Sequence, residues 1–320
     1  MKSIKKSTCR SIATGAAGRN QATASESAYF KFMLGVIERL QQMGQTRTAE
    51  AYRSALSSFQ QFLGGKDVSL HAINSDLMLL YEAYLKQRGV SRNSSSFYMR
   101  ILRATYNRAV ENQLTDNRLP FKHVYTGIDK TVKRALPLKA VKKIKHLDLS
   151  AKPALDFARD MFLFAFYTRG MSFIDMAYLK KNDLRHGILT YRRRKTGQTI
   201  CIKWEKCMQE IIDKYPVSRQ SPYLLPILTC PDESRNQYRN MLSRTNQHLK
   251  EVALSADLPI PLTLYVARHS WASIAQSKHI PLSVISKGLG HDSEQTTQIY
   301  LASLDRSVID KANKMILNDL

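Results

Sequence analysis

Acidic residues are scarce in this chain: 26 Asp and Glu stand against 49 Lys and Arg, a formal charge of +23 over 320 residues. Such an excess is more than solubility needs. It points to a polyanionic partner, nucleic acid first and an anionic membrane surface second. Cysteine is scarce too. Cys9, Cys201, Cys207 and Cys230 form no Cys-x-x-Cys pair, so neither a zinc site nor a disulfide framework is expected. That usage fits a reducing cytoplasm. No apolar run approaches the ~18 residues that cross a bilayer. The opening stretch MKSIKKSTCRSIATGAAGRN lacks the apolar core of a signal peptide. A glycine-rich phosphate loop, an acidic metal cluster and an internal repeat are also missing, and neither metal nor other cofactor is expected. At 43% hydrophobic residues the chain can still bury a sizeable core, as one large or two moderate domains.

What is present begins with a basic arm, residues 1–24, ahead of the first acidic residue, Glu26. It reads as a flexible segment suited to DNA backbone. Four helical stripes follow. They run through Phe30, Met33, Leu34, Ile37 and Leu40; through Tyr52, Leu56 and Phe59; through Leu77, Leu80, Tyr81 and Leu85; and through Tyr98, Ile101, Leu102, Thr105, Tyr106 and Ala109. Gly64-Gly65 and Gly89 close the second and third. Residues 25–118 therefore read as a compact helical domain. Arg92, Arg100, Arg103 and Arg108, in or just before the fourth stripe, suit either phosphate contact or a solvated face. Residues 119–138 shift in composition and carry Lys133 and Arg134. They read as a basic linker crossing DNA.

A longer domain, 139–306, follows. Pro153 to Tyr167 is a strongly apolar helix. In GILTYRRRKTGQTICIKW the period changes to two. Ile188, Thr190 and Arg192 alternate, as do Ile200, Ile202 and Trp204, around Lys195-Thr196-Gly197-Gln198, which predicts a β-hairpin. Helices are expected from Lys206, from Asn236 to Val252, within LTLYVARHSWASIA, and in IPLSVISKGLGH, ended by Gly288 and Gly290. The expected fold is mainly α in two domains, the second a mixed, mostly α domain with a small β-hairpin.

GLGHDSEQTTQIY, residues 288–300, ends on a tyrosine nine residues after a histidine. Alone, LSVISKGLGHDSEQTTQIY could be a helix-turn-helix of a DNA binder without chemistry. Taken with Arg268-His269-Ser270 upstream, the set Arg268, Gly290-His291 and Tyr300 resembles the tyrosine recombinases, the phage integrase family. That family's pattern is His-x-x-Arg-His, then Leu-Gly-His, then a tyrosine nine residues on. The likeness runs from about Ala28 to Ser303, and the helical N-terminal part resembles the family's core-binding domain in shape.

The resemblance implies the chemistry. Tyr300 would attack a backbone phosphate, leaving a 3′-phosphotyrosine and a free 5′-hydroxyl. The phosphoester energy is kept, so rejoining needs no ATP. Cationic side chains would neutralise the added charge of the transition state in place of a metal. Arg268 suits this because its planar fork can hold two phosphate oxygens and is always charged. His291 would bond a phosphate oxygen, and Lys195, otherwise a solvated hairpin lysine, would protonate the departing oxygen. His269 reads as bracing the helix start. Asp175 would orient a cation of the site or serve as a helix-start carboxylate.

Two positions depart from the pattern. Aligning Gly170 of YTRGMSFIDMAYL with the family's glycine puts Ser172 where its first arginine stands. Arg193 and Arg169 are the candidate substitutes. Arg193 is favoured because residues two apart on a strand share a face, which would set it beside Lys195. The second departure is Tyr265, in place of the histidine three residues before Arg268. A neutral phenol can donate to phosphate but is a poor base near pH 7.

The resemblance implies a site-specific recombinase acting on double-stranded DNA as a homotetramer on paired sites, with DNA-bending proteins as possible accessories. It would work in the cytoplasm, on the bacterial nucleoid. Integration, excision and inversion all stay open, with a lean to inversion or resolution because the arm is short. A type IB topoisomerase and a catalytically silent DNA-binding relative are the alternatives. The tail 307–320 is expected to pack on a neighbouring protomer or in cis.

Overall fold

A computed structural model describes residues 28–129, 131, 134–229, 234–291 and 293–302. The arm 1–24, Cys9, Cys230, Lys133 and the tail 307–320 lie outside the described residues. The chain divides into two compact units, Met1–Asp129 and Lys130–Leu320.

Among the described residues the first unit holds four α-helices: α1 (Tyr29–Gln42), α2 (Thr46–Phe62), α3 (Ser75–Gln87) and α4 (Arg92–Glu111). Local chemistry sets their ends. The Asn74 side chain accepts from the Leu77 N–H and that of Ser91 from the Ser94 N–H, each satisfying an otherwise orphaned donor. Gly89, at φ +69°, turns the chain out of α3. The apolar stripes meet in a core that includes Tyr29, Phe59, Tyr81 and Tyr106. Two stripe positions are corrected: Leu80 is 62% exposed and Leu34 43%, while Met78 and Val36 are buried. The rest of the third stripe stands, with Tyr81 and Leu85 buried and Leu77 packed against the core.

The stretch expected to be linker contributes to both cores. Phe121 and Val124 are buried in the first and Leu136 in the second. Residues 121–129 lie within the first unit, tied to α4 by Ser96 Oγ donating to the Gly127 carbonyl at 2.5 Å.

The second unit contains α5 (Leu138–Lys145), α6 (Pro153–Tyr167), α7 (Phe173–Ala177), β1 (Leu184–Arg185), β2 (Ile188–Arg192), β3 (Thr199–Lys203), α8 (Lys206–Lys214), α9 (Ser234–Ser255), α10 (Leu264–Ser277), α11 (Leu282–Leu289) and α12 (Glu294–Ala302). Pro153 at its first turn lets α6 start where predicted. That helix carries Met161, Phe162 and Phe164, all fully buried, and packs against α9 and α10. The strands form an antiparallel sheet in the order β1-β2-β3. Its buried face is Leu189 and Tyr191 opposite Ile202 and Ile200. The predicted face of Ile188, Thr190 and Arg192 is the outward one, and Trp204 lies past the end of β3. Gly288 does not end α11 but sits inside it, under Trp271; the left-handed cap is Gly290, at φ +62°.

An ionic cluster, buried at Arg159 and Asp160 and open to solvent at Lys214, joins α6 to α8. Arg159 pairs with Asp156 and, at 2.5 Å, with Asp160. Lys214 Nζ lies 2.5 Å from Asp156 and 2.7 Å from Asp160, and the Tyr215 hydroxyl donates to Asp160 at 2.8 Å. Burial alone would pull the Lys214 ammonium down, but its bonds to the two carboxylates outweigh this and raise it. Removing Asp160 strands the buried Arg159. Asp160→Ala should cost about 3 kcal/mol of stability, read as a fall in the denaturant midpoint; a loss below about 1 kcal/mol would mean the cluster is solvated.

Candidate active site around the Leu289–His291 turn

Arg268 lies on α10, 5% exposed, and joins two turns distant in sequence. Nη1 donates to the Gly170 carbonyl at 2.8 Å and Nη2 to the Leu289 carbonyl at 2.6 Å. Nη2 also lies 3.1 Å from His291 Nε2. A guanidinium only donates, so Nε2 accepts here and the imidazole proton sits on Nδ1. Nδ1 is 2.7 Å from Thr297 Oγ1, a fully buried hydroxyl on α12. His291 thus ties Arg268 to the helix on which Tyr300 lies, three residues after Thr297.

Arg193 comes to the same turn from the sheet. It is 6% exposed, and its Nη1 donates to the Gly290 carbonyl. Its Nε lies 4.0 Å from Asp175 Oδ2. Asp175, itself buried, accepts from Ser172 Oγ at 2.6 Å and from the Arg194 N–H at 2.9 Å. Asp175, held by Ser172, therefore fixes the chain just after Arg193 and faces its guanidinium. Tyr191, beside them, has its phenol pushed up by burial and then by the Asp175 charge, so it stays neutral.

Two glycines let the pieces close. Gly170 has φ +76°, and a Cβ there would lie 2.7 Å from Arg268 Cα. Gly290 has φ +62°, and a Cβ would meet Ile200 Cδ1 at 2.6 Å and Arg193 Cδ at 2.9 Å. Side chains of any size at either position would displace an arginine.

The structure therefore brings Arg268, His291, Arg193, Asp175 and Ser172 together. The other candidates lie differently. Lys195 is exposed on the turn between β2 and β3. The strand argument for Arg193 is corrected: β2 ends at Arg192, the chain turns, and Arg193 points inward while Lys195 faces solvent. Arg169, at φ +60°, reaches toward the Cys201 carbonyl at 3.4 Å. Tyr265 is 55% exposed, its ring edge-on to buried His269 at 4.6 Å.

The four helix arginines do not share one face. Arg92 lies 3.8 Å over the Tyr125 ring and 3.5 Å from Asp129. Arg103 donates to Thr126 Oγ1 at 3.3 Å. Arg108, about 140° round the helix from Arg103, lies 6.0 Å over the Tyr52 ring. Arg100 is half-buried and Arg134 exposed. Thr297 was not singled out in the sequence, and Gly170 entered only as the glycine that fixes the alignment of Ser172. The only signal for Thr297 was its place between His291 and Tyr300.

Residues 139–306, more than half of the chain, match the profile of the phage integrase family. The chain belongs to the phage integrase family. Residues 28–124 match the phage integrase SAM-like domain. Among curated relatives, the tyrosine recombinase XerC of Pediococcus pentosaceus is 25% identical over 264 residues, 79% of this chain and 86% of that protein. XerA of Pyrococcus furiosus is 28% identical over 245 residues, 73% of this chain and 79% of that one. Among solved structures, a lambda integrase dimer bound to a COC′ core site aligns with TM-score 0.67 at 15% identity, over 89% of this chain and 82% of that one. The XerH recombinase in its post-cleavage complex aligns at 0.60 and 17% identity, over 83% and 79%.

Gly170→Ala should cost about 3 kcal/mol, from backbone strain plus displacement of Arg268. Gly187→Ala is the control, because it shares the positive φ, +71°, but meets nothing within 4 Å; about 1 kcal/mol is expected there. Equal losses in urea melts of the two variants would show that the close approach to Arg268 is without consequence.

Proposed function

We propose that this integrase-family chain is a site-specific DNA recombinase that cuts and rejoins duplex DNA through Tyr300. The observation that carries this is the convergence of two buried guanidiniums, Arg268 and Arg193, on the carbonyls of one turn, Leu289–Gly290, next to His291 and just ahead of the helix bearing Tyr300.

Tyr300 Oη forms a bond to the scissile phosphorus as the bond to the 5′-oxygen breaks. Lys195, on its exposed turn, gives its proton to that oxygen. Arg268 and Arg193 neutralise the non-bridging oxygens, with Arg193 taking the place of the arginine that Ser172 replaces. Asp175 holds Arg193 by charge and the Arg194 amide by hydrogen bond, so it positions the clamp. His291 accepts from Arg268 through Nε2 in the free chain. To donate to phosphate it must gain a proton there or exchange tautomers, and the proton leaving Tyr300 is one source. Tyr265, with its exposed hydroxyl, donates to phosphate rather than acting as base.

The chain binds duplex DNA through the +23 excess, with Arg92, Arg100, Arg103, Arg108 and Arg134 among the backbone contacts. It works as a homotetramer on paired sites; a lambda integrase tetramer bound to a Holliday junction is one of the structures it resembles, at TM-score 0.65. DNA-bending proteins are the accessory partners that such synapsis would recruit. Among the described residues no helix is long and apolar enough to cross a membrane.

The test is a denaturing gel of the chain with duplex fragments flanking its own gene. A protein–DNA band that survives denaturation and disappears in Tyr300→Phe is the expected result. Arg193→Ala should abolish that band while DNA binding survives, and Tyr265→Phe should slow its appearance moderately. Binding without any covalent band would favour the silent DNA-binding relative, for which Ser172 and Tyr265 are the sequence grounds. A strong band from Arg193→Ala would remove Arg193 from the clamp.

A further inference from the structure

One side of α4 carries contacts from the chain that follows it near its start, and lies open further along. Toward its start the 125–129 segment lies on it. Ser96 bonds Gly127, and the Asn93 amide bonds Asp129 in both directions, at 3.0 and 2.8 Å. Arg92 sits over Tyr125, and Arg103 donates to Thr126. One turn further on, Asn107 occupies the same side of the helix as Arg103. There the cover ends. Arg103 and Asn107 form one wall of a groove of about 270 Å³. Asn117, Leu119 and Lys122 form the other, and buried Pro120 and Phe121 lie beneath.

The loop holds an apolar side chain out in water. Leu119 is 58% exposed and has φ +50°, a conformation unfavourable for a side chain with a Cβ. Local bonds enforce it: the Leu119 N–H donates to Asn117 Oδ1 at 3.0 Å, and the Leu119 carbonyl accepts from the Lys122 N–H at 3.1 Å. Strain of this kind persists where surroundings over-determine it and gathers at sites that bind. No carboxylate lines the groove, and it carries two cations, Arg103 and Lys122. Asn107 is exposed and makes no side-chain hydrogen bond among the described residues.

We infer that this groove reads base edges of duplex DNA and sets the sequence preference of the first unit. The set of groups fits that ligand better than a bare phosphate chain. An asparagine amide pairs with both the N7 acceptor and the N6 donor of adenine, a lysine or arginine with guanine N7 and O6, and an apolar side chain packs on the thymine methyl. A phosphate-only site needs cations and hydroxyls, and has no use for a leucine fixed in solvent. The inference rests on the DNA-binding reading above and adds to it which residues choose the sequence.

The test uses the full chain and a pool of randomised duplexes. Wild type selects a site, and its affinity is then measured for every single-base substitution of that site. Asn107→Ala should flatten the preference at one or two adjacent base pairs, by about 5- to 100-fold, and leave the other positions unchanged. Leu119→Gly provides the second arm. Glycine takes the positive φ freely, so this variant should melt at or above the wild-type temperature and still lose discrimination at a neighbouring base pair. Variants that weaken binding equally on all sequences would make these backbone contacts and overturn the inference. Unchanged preference in both variants would also overturn it, as would loss of self-association in their place, which would make the groove a contact between copies. A wild-type chain that binds no duplex would instead sink the DNA-binding reading on which the groove depends.

Discussion

The second unit depends on one buried guanidinium. Arg268 spans from the Gly170 carbonyl, at the end of the α6 turn, to the Leu289 carbonyl, at the end of α11. Burying such a charge costs several kcal/mol unless its donors are matched with good geometry. Two carbonyls and an imidazole supply the match. The two turns are therefore held by the same group that would meet a phosphate, and the site cannot loosen without exposing an unmatched charge. This also explains why Gly170 and Gly290 carry no side chain: each backbone passes too close to an arginine for a Cβ.

The departure proposed at Ser172 has a local logic. The Ser172 hydroxyl donates to Asp175, and Asp175 faces Arg193 and accepts from the Arg194 amide. A positive charge near Asp175 is thus supplied from the sheet rather than from the start of α7. The turn that presents Gly290 to Arg193 presents Leu289 to Arg268. Two guanidiniums on adjacent carbonyls form a compact pair of cations, the arrangement that a phosphate dianion in a transition state calls for.

Much of the fold was legible because helical stripes depend on local periodicity. The boundaries of α6 and the buried positions of α4 follow from apolar spacing and a proline. In the third stripe Tyr81 and Leu85 are buried as expected, but Leu80 faces out and Met78 in, because α3 offers apolar residues on more than one side and only packing chooses among them. In the hairpin, both alternating sets hold apolar residues, and burial under α-helical neighbours chose Leu189 and Tyr191. At the site, Arg268, His291 and Tyr300 could be singled out because their order and spacing resemble the pattern of the phage integrase family. Arg193 was chosen on a strand argument that fails, since β2 stops one residue earlier. Its inward course is set by the turn and by Gly290, nearly a hundred residues away in sequence. Thr297, and the contact of Gly170 with Arg268, were invisible for the same reason: the partners are brought near only by folding.

The claim that Arg193 and Arg268 act as a pair on one phosphate is tested most directly by removing the charge they would neutralise. Cleavage would be timed for wild type and Arg193→Ala on DNA whose scissile linkage is either an ordinary phosphate or an uncharged methylphosphonate. If Arg193 faces the phosphate, its loss should slow cleavage of the ordinary linkage severely and that of the neutral one little. An equal loss on both linkages would show that Arg193 only supports the Gly290 turn, and the paired clamp would be wrong.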